Sequence, residues 1–119
     1  MVTMHKPKRI KLGGHEWRVR WAHNDLCGAA GMCVPARHQI AVDVMQDEDT
    51  PMSDGSVFHT FLHEIVHAID VTYCDCRVFK GAKHGDELEC MNPFIEGLVQ
   101  FLLDNWPALE KMKKTLDKG

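Results

Sequence analysis

The sequence has no long apolar run. No stretch of apolar residues approaches the roughly 18 that a membrane-spanning helix needs. Residues 1–11 are polar and basic, so we expect no secretory signal and a cytoplasmic location. Internal repeats and low-complexity tracts are also missing. The remaining features, 119 residues with 45% hydrophobic and 26% charged composition, predict one globular domain over residues 1–119 with its own core.

An excess of positive charge is missing as well. Lys and Arg number 14 against 17 Asp and Glu, which gives a formal net charge of -3. Proteins that bind nucleic acids mainly through the phosphates carry a positive net charge. We therefore expect no nucleic-acid partner, and the absence of a long apolar run leads us to expect no membrane partner.

Cysteines are few and odd in number. Of the five, Cys27 and Cys33 lie in one loop region, and Cys74 and Cys76 form a Cys-x-Cys pair. The Cys-x-x-Cys spacing of structural zinc sites is absent. We expect reduced thiols that pack as small hydrophobes, with a second metal site on these four cysteines as the open alternative.

Residues 9–44 carry the strand signals. Arg9–Leu12 and Glu16–Trp21 alternate apolar and polar residues around Gly13-Gly14, which predicts a hairpin with one apolar and one basic face. A solvated strand face is the ordinary reading of that basic side, and a nucleic-acid patch is the alternative. Residues 24–35 read as an irregular loop, and His38–Val44 alternates as a third strand.

Residues 56–105 carry the helix signals. Apolar residues at spacings of three and four predict a first helix from Phe58 to about Tyr73. The same pattern predicts a second helix from Leu88 to about Asn105, with Pro93 as a kink or as its start. Residues 106–119 read as a polar tail, with a frayed helix over Glu110–Gly119 as the alternative. The predicted fold is α+β, a short three-stranded, mostly antiparallel sheet packed on two helices.

The first helix carries the chemistry. His63, Glu64 and His67 form the pattern His-Glu-x-x-His. Side chains at i and i+4 lie one above the other on a helix, so both imidazoles can reach one metal ion. Glu64 lies beside that pair, where it can take a proton from a metal-bound water. The histidines are off the apolar stripe of this helix, which favours a zinc site over core packing.

The segment Thr60–Asp70 around this motif resembles the small zincin metallopeptidases of phage and prophage genomes, relatives of the ImmA/IrrE family. Gly97–Asn105 is similar to the closing helix of those domains. The resemblance implies a zincin-like fold and a zinc-dependent peptidase (Zn²⁺ as cofactor) that acts on a protein or peptide. It also implies that the strand before the motif helix, at Ile40–Val44, edges the cleft and pairs with an extended substrate.

The third zinc ligand is open at this point. Relatives use a glutamate on the next helix, and helical phase favours Glu87 over Glu89 and Glu96. His84 competes, because His84–Leu88 resembles the third-ligand region of SprT-like proteases, which act near DNA. Asp70, three residues after His67, is expected to orient an imidazole without binding the metal.

Two other functions are compatible with the sequence. The domain could be a non-catalytic module in which zinc stabilises the fold and the surface binds a partner. It could also be a DNA-associated protease of the SprT-like kind. The sequence does not specify the substrate, the cleavage site or the oligomeric state.

Overall fold

A four-stranded sheet and two helices make up the fold. The computed structural model describes residues 4–74 and 87–116, and of residues 87–92 and 95 it describes the backbone alone. Its elements are, in chain order, β1 (Arg9–Leu12), β2 (His15–Ala22), β3 (Gly31–Val34), a 3₁₀ turn (Pro35–Arg37), β4 (Gln39–Asp43), α1 (Asp54–Cys74) and α2 (Glu87–Leu116).

The predicted hairpin is confirmed as β1 and β2, which pair antiparallel. Gly13 and Gly14 form its turn with φ values of 62° and 78°, the left-handed region that two-residue hairpin turns require. Ile10, Leu12 and Trp17 are buried beneath the helices, and the alternate residues are exposed. One face of the hairpin is therefore apolar and the other basic.

The prediction of a three-stranded, mostly antiparallel, zincin-like sheet is wrong. The sheet has four strands in the order β1-β2-β4-β3, and β2 pairs parallel with β4. The chain reverses after β2 into β3 and again after β3 into β4, so β4 inserts beside β2 in the same direction. The extra strand, β3, lies within residues 24–35, which the sequence predicts as a loop. Its residues do not alternate between the two burial classes, so the period-2 pattern of a strand is absent there.

The helix α1 begins four residues earlier than its apolar pattern. Ser53 caps it, since its hydroxyl accepts the Ser56 N–H at 3.2 Å. Phe61, Ile65 and Ile69 are fully buried against the sheet. Leu62, which the pattern assigns to the same stripe, is instead 37% exposed.

The helix α2 continues beyond its predicted end. It passes through Pro107 to Leu116, so residues 106–116 are helical and not a polar tail. Met112 is fully buried in the core, with Leu109 and Leu116 packed against it. This tertiary contact outweighs the backbone hydrogen bond that a proline removes.

The two helices run antiparallel. At one end, Met4 donates its N–H to Asp54 at the start of α1, while the adjacent His5 donates to Thr115 near the end of α2. At the other end, Gly97 of α2 lies directly against the Tyr73 ring of α1. Among the described residues, no helix combines the length and apolar character that crossing a bilayer requires.

Candidate metal centre

His63 and His67 lie side by side on α1, one helical turn apart. Their Nε2 atoms are 3.1 Å apart, and their rings meet edge to face with centroids 4.7 Å apart. His63 is exposed and His67 is half-buried. As the sequence predicts, the pair is presented on a face separate from the core residues of the same helix.

The spacing of the two nitrogens fits a shared metal ion. Two imidazole nitrogens at about 2.0–2.1 Å from one zinc ion, at the tetrahedral angle, lie about 3.3 Å apart. The observed 3.1 Å differs from this value by a few tenths of an ångström. The pair can therefore supply two zinc ligands with little movement of the backbone or of the rings.

Glu64 is held between α1 and β3. Its side chain is only 7% exposed, although it borders the same cleft as the histidines. Gly31 of β3 makes this position possible, because a Cβ there would lie 3.0 Å from both Cγ and Oε2 of Glu64. The carboxylate is thus packed against strand backbone, which restricts its rotamers.

The three motif residues border a cleft with a volume of about 660 Å³. The opposite wall comes from β3 and the residues that flank it: Ala29, Gly31, Met32, Cys33 and Pro35. On the helix side, α1 also contributes Val71. The sequence patterns do not predict this wall. A short apolar run, Met32-Cys33-Val34, directly after Gly31 is the one signal that could have indicated it.

The predicted edge strand is also wrong. The strand before the motif helix, β4, lies inside the sheet between β2 and β3, and β3 forms the edge at the cleft. Asp43 donates its N–H to the Ala30 carbonyl at 2.8 Å, which makes that a hydrogen-bonded pair. Because such pairs alternate along antiparallel strands, the N–H and C=O of Gly31 point away from β4.

The third ligand is not assembled with the pair in the described part of the chain. There, no group of three His, Cys, Asp or Glu side chains is placed to hold one metal ion. His84 lies outside the described residues, and Glu87 and Glu89 are described by backbone only. Glu96 is exposed on α2, next to the Gly97 contact with Tyr73.

Other polar residues of α1 are distributed differently. Asp70, predicted to orient an imidazole, is 3% exposed and lies one turn after His67; that role stays a prediction. His59 lies one turn before His63, a position that the sequence analysis passed over, and it is exposed outside the cleft wall. Tyr73 packs against α2 and is not part of the cleft wall.

The four-cysteine metal site does not form from the described residues. Cys27 is exposed, Cys33 is half-buried at the cleft and Cys74 is buried at the end of α1. These three thiols form no disulfide with one another, and they do not group around a common point. Cys76, the fourth residue of that alternative, lies outside the described residues.

Comparison with protein-family models, curated proteins and solved structures gives no match for this chain. The resemblance to the ImmA/IrrE relatives therefore stays a prediction that rests on the motif and its flanks.

Proposed function

We propose that this protein is a zinc-dependent peptidase whose active site is the cleft between α1 and β3. One observation carries the proposal: two imidazole nitrogens at metal-sharing distance stand beside a buried carboxylate, in a cleft bordered by a sheet edge. His63 and His67 would hold the zinc ion. When bound, zinc polarises a scissile carbonyl and makes a coordinated water more acidic.

Residues of this chain carry out the proton transfer and bind the substrate backbone. Glu64 accepts the proton of the attacking water and returns it to the leaving amine, the role of a general acid–base group. The Gly31 backbone offers one N–H and one C=O to an extended peptide that adds to the sheet beside β3. That pairing would carry the scissile bond past Glu64, whose side chain is in contact with Gly31.

The third ligand is expected from residues 84–96, where helical phase favours Glu87 and the described side chain of Glu96 is not grouped with the histidine pair. Because the helices are antiparallel and meet at Tyr73 and Gly97, residues before Gly97 lie progressively farther beyond the end of α1. At 1.5 Å per residue, Glu89 and Glu87 lie about 12 and 15 Å from the level of Gly97. Along the helix axis Glu96 is the nearest of the three glutamates to Gly97, but its side chain is exposed and, among the described residues, not grouped with His63 and His67. Zinc binding by the single variants therefore identifies the ligand.

Zinc content tests the metal centre. We expect about one zinc per chain in the purified protein, and near zero in a His63→Ala, His67→Ala double variant. A His23→Ala, His59→Ala variant is the matched control, since it removes two exposed histidines outside the cleft. Equal zinc in all three proteins would contradict the site. Among the single variants Glu87→Ala, Glu89→Ala and Glu96→Ala, the one that lowers zinc content identifies the third ligand, and we expect it to be Glu87→Ala.

Turnover tests the role of Glu64. The Glu64→Gln variant keeps the size of the side chain and removes its basic oxygen, so zinc content should persist. Hydrolysis of a proteome-derived peptide library, read by mass spectrometry, should fall at least ~100-fold. Glu48→Gln, in an exposed loop, is the matched control and should cleave like the unaltered protein.

The two assays together separate the peptidase from its main alternative. Zinc binding through His63 and His67 without cleavage of any library peptide would favour a non-catalytic, zinc-stabilised binding module. Cleavage that persists in Glu64→Gln would show that the observed hydrolysis comes from another source.

A further inference from the structure

The charge of this chain is divided unequally between its two halves. Residues 1–42 hold seven Lys or Arg against two Asp or Glu, a net charge of +5. The rest of the chain holds seven against fifteen, a net charge of -8. The overall value of -3 therefore conceals a basic half, and such asymmetry is typical of proteins that bind polyanions.

The structure gathers this charge on one face of the sheet. The helices cover the face that presents Ile10, Trp17 and Val19. Part of the other face is covered by Leu26, which packs on Ala22 and Ala41. The uncovered part holds a cleft of about 560 Å³ that is lined by the four cations Lys8, Arg9, Arg18 and Arg20, with no acidic residue among its lining. We call these four residues the basic sheet face.

Two of these cations lie opposite each other, although their like charges repel. Arg9 of β1 and Arg18 of β2 are direct cross-strand partners, and both are exposed. Like charges that face each other across strands destabilise a sheet. Among the described residues, Arg18 and Lys8 have no carboxylate partner. An anionic ligand would relieve the repulsion between Arg9 and Arg18.

The ion pairs at this face are weak and exchangeable. Arg9 lies 3.3 Å from Glu16, and Arg20 lies 2.8 Å from Asp25; all four side chains are well exposed. The Arg20 hydrogen bond lowers the pKa of Asp25, which keeps that carboxylate ionised. Solvent-exposed ion pairs contribute little to stability, so a phosphate group can replace either carboxylate.

The arrangement suits a phosphodiester backbone. Arg18 and Arg20 project from the same face two residues apart, roughly 6.6 Å, and Arg9 faces Arg18 at about 5 Å. Three of the four cations are arginines, whose planar guanidinium binds phosphate through two parallel hydrogen bonds. A protein partner would need an apolar centre among the charges. Here Arg18, at the centre of the cleft lining, has Arg9 and Gln39 as its cross-strand neighbours, so the centre of the face is polar.

The face lacks a platform for unpaired bases. Proteins that bind single strands stack bases on exposed aromatic rings. Trp21, the aromatic residue in this cleft, is half-buried against Phe61 and donates its indole N–H to the Pro7 carbonyl at 2.8 Å. This favours double-stranded nucleic acid, which is bound through its phosphates.

We propose that the basic sheet face binds the phosphate backbone of duplex nucleic acid without sequence preference. This proposal differs from the expectation drawn from net charge, because the basic charge is local to one face of the sheet. The site lies on the opposite face of the sheet from α1. A duplex bound there leaves the cleft of His63 and Glu64 open, so the two functions can be lost separately.

Fluorescence anisotropy with a labelled 20-base-pair random-sequence DNA duplex tests the proposal on the full chain. Four neutralised phosphates predict a slope of about -3.6 for log affinity against log salt, about a 100-fold loss between 50 and 200 mM. An Arg9→Gln, Arg18→Gln variant should reduce the slope to about -1.8. The Arg9→Lys, Arg18→Lys variant keeps the charge and should largely restore it.

The matched control is Lys113→Gln, Lys114→Gln, which removes the same charge from the end of α2 and should leave the slope unchanged. An equal change of slope in the two glutamine variants would overturn the site, because a diffuse field would explain the binding. No binding at 50 mM salt by folded protein would overturn it as well. Competition by polyglutamate as strong as that by DNA of equal charge would assign the face to an acidic protein instead. Tighter binding of the single strand would overturn the duplex assignment.

Discussion

At the residue scale, the missing side chain of Gly31 leaves the space that the Glu64 side chain occupies. The motif predicts that a glutamate follows the first histidine, but it does not predict what holds the carboxylate. That restraint comes from a strand that is 33 residues away in the sequence, and a contact of this kind has no local signal. The proposed metal pair and base follow from the spacing of His63, Glu64 and His67, whereas the contact that restrains Glu64 does not follow from the sequence.

A single methyl group at position 31 should separate catalysis from metal binding. In Gly31→Ala, the new Cβ would lie 3.0 Å from Glu64 Oε2 and 2.9 Å from Thr60 Cγ2. Both contacts are tighter than van der Waals packing allows, so Glu64 must move. We expect zinc content to persist and peptide hydrolysis to fall by at least ~10-fold, since small displacements of catalytic groups reduce turnover strongly.

The control for this variant is Gly55→Ala. Position 55 has open space around it, at the start of α1, so alanine there should raise helix stability slightly and leave hydrolysis unchanged. Equal hydrolysis by Gly31→Ala and the unaltered protein would show that β3 does not position Glu64.

At the element scale, α2 does more than cover the core. Asn105 is 6% exposed and accepts the Lys11 N–H at 2.8 Å, while its amide donates to the carbonyls of Lys11 and Phe101. It thus satisfies backbone groups of β1 at the sheet edge. The sequence shows helical periodicity up to this residue, but it does not show that a polar side chain turns inward.

Replacement of Asn105 should be costly. Asn105→Ala leaves the Lys11 N–H and C=O without these partners beneath α2. Each unsatisfied buried group costs about 1–3 kcal/mol, so we expect a loss on the order of 2–3 kcal/mol in the free energy of unfolding. Urea denaturation measures it. Gln100→Ala, which removes an exposed bond to Asp104, should change stability by less than about 0.5 kcal/mol; an equal loss would refute the role of Asn105.

Element boundaries show how far sequence patterns reach. The hairpin and the first helix follow from alternation, paired glycines and a 3.6-residue period, all of which are local. The extension of α2 past Pro107 does not, because Met112 is buried through contacts with distant parts of the chain. The spacing of Asn105, Leu109, Met112 and Leu116 carries a helical signal, and Pro107 and the lysines around it conceal that signal.

At the scale of the whole molecule, the sheet is asymmetric in two ways. Its two faces differ, because one packs against the core and the other is the basic sheet face. Its two edges differ as well, because Asn105 closes β1 and the cleft opens beside β3. Strand order decides both features. Local patterns predicted most strands, but the insertion of β4 between β2 and β3 is a property of long-range pairing.

The edge asymmetry gives a prediction for backbone amides. The Lys11 N–H is bound by the Asn105 side chain, whereas the Gly31 N–H points away from β4 and has no acceptor among the described residues. We expect slow hydrogen exchange at Lys11 and fast exchange at Gly31. In the zinc-loaded protein, a peptide hydroxamate that occupies the cleft should slow Gly31 and leave Lys11 unchanged, because the peptide adds as a strand beside β3 alone. NMR-detected exchange distinguishes the outcomes. Protection of Gly31 before the peptide is added would contradict an open edge, and peptide binding without protection at Gly31 would contradict substrate pairing with β3.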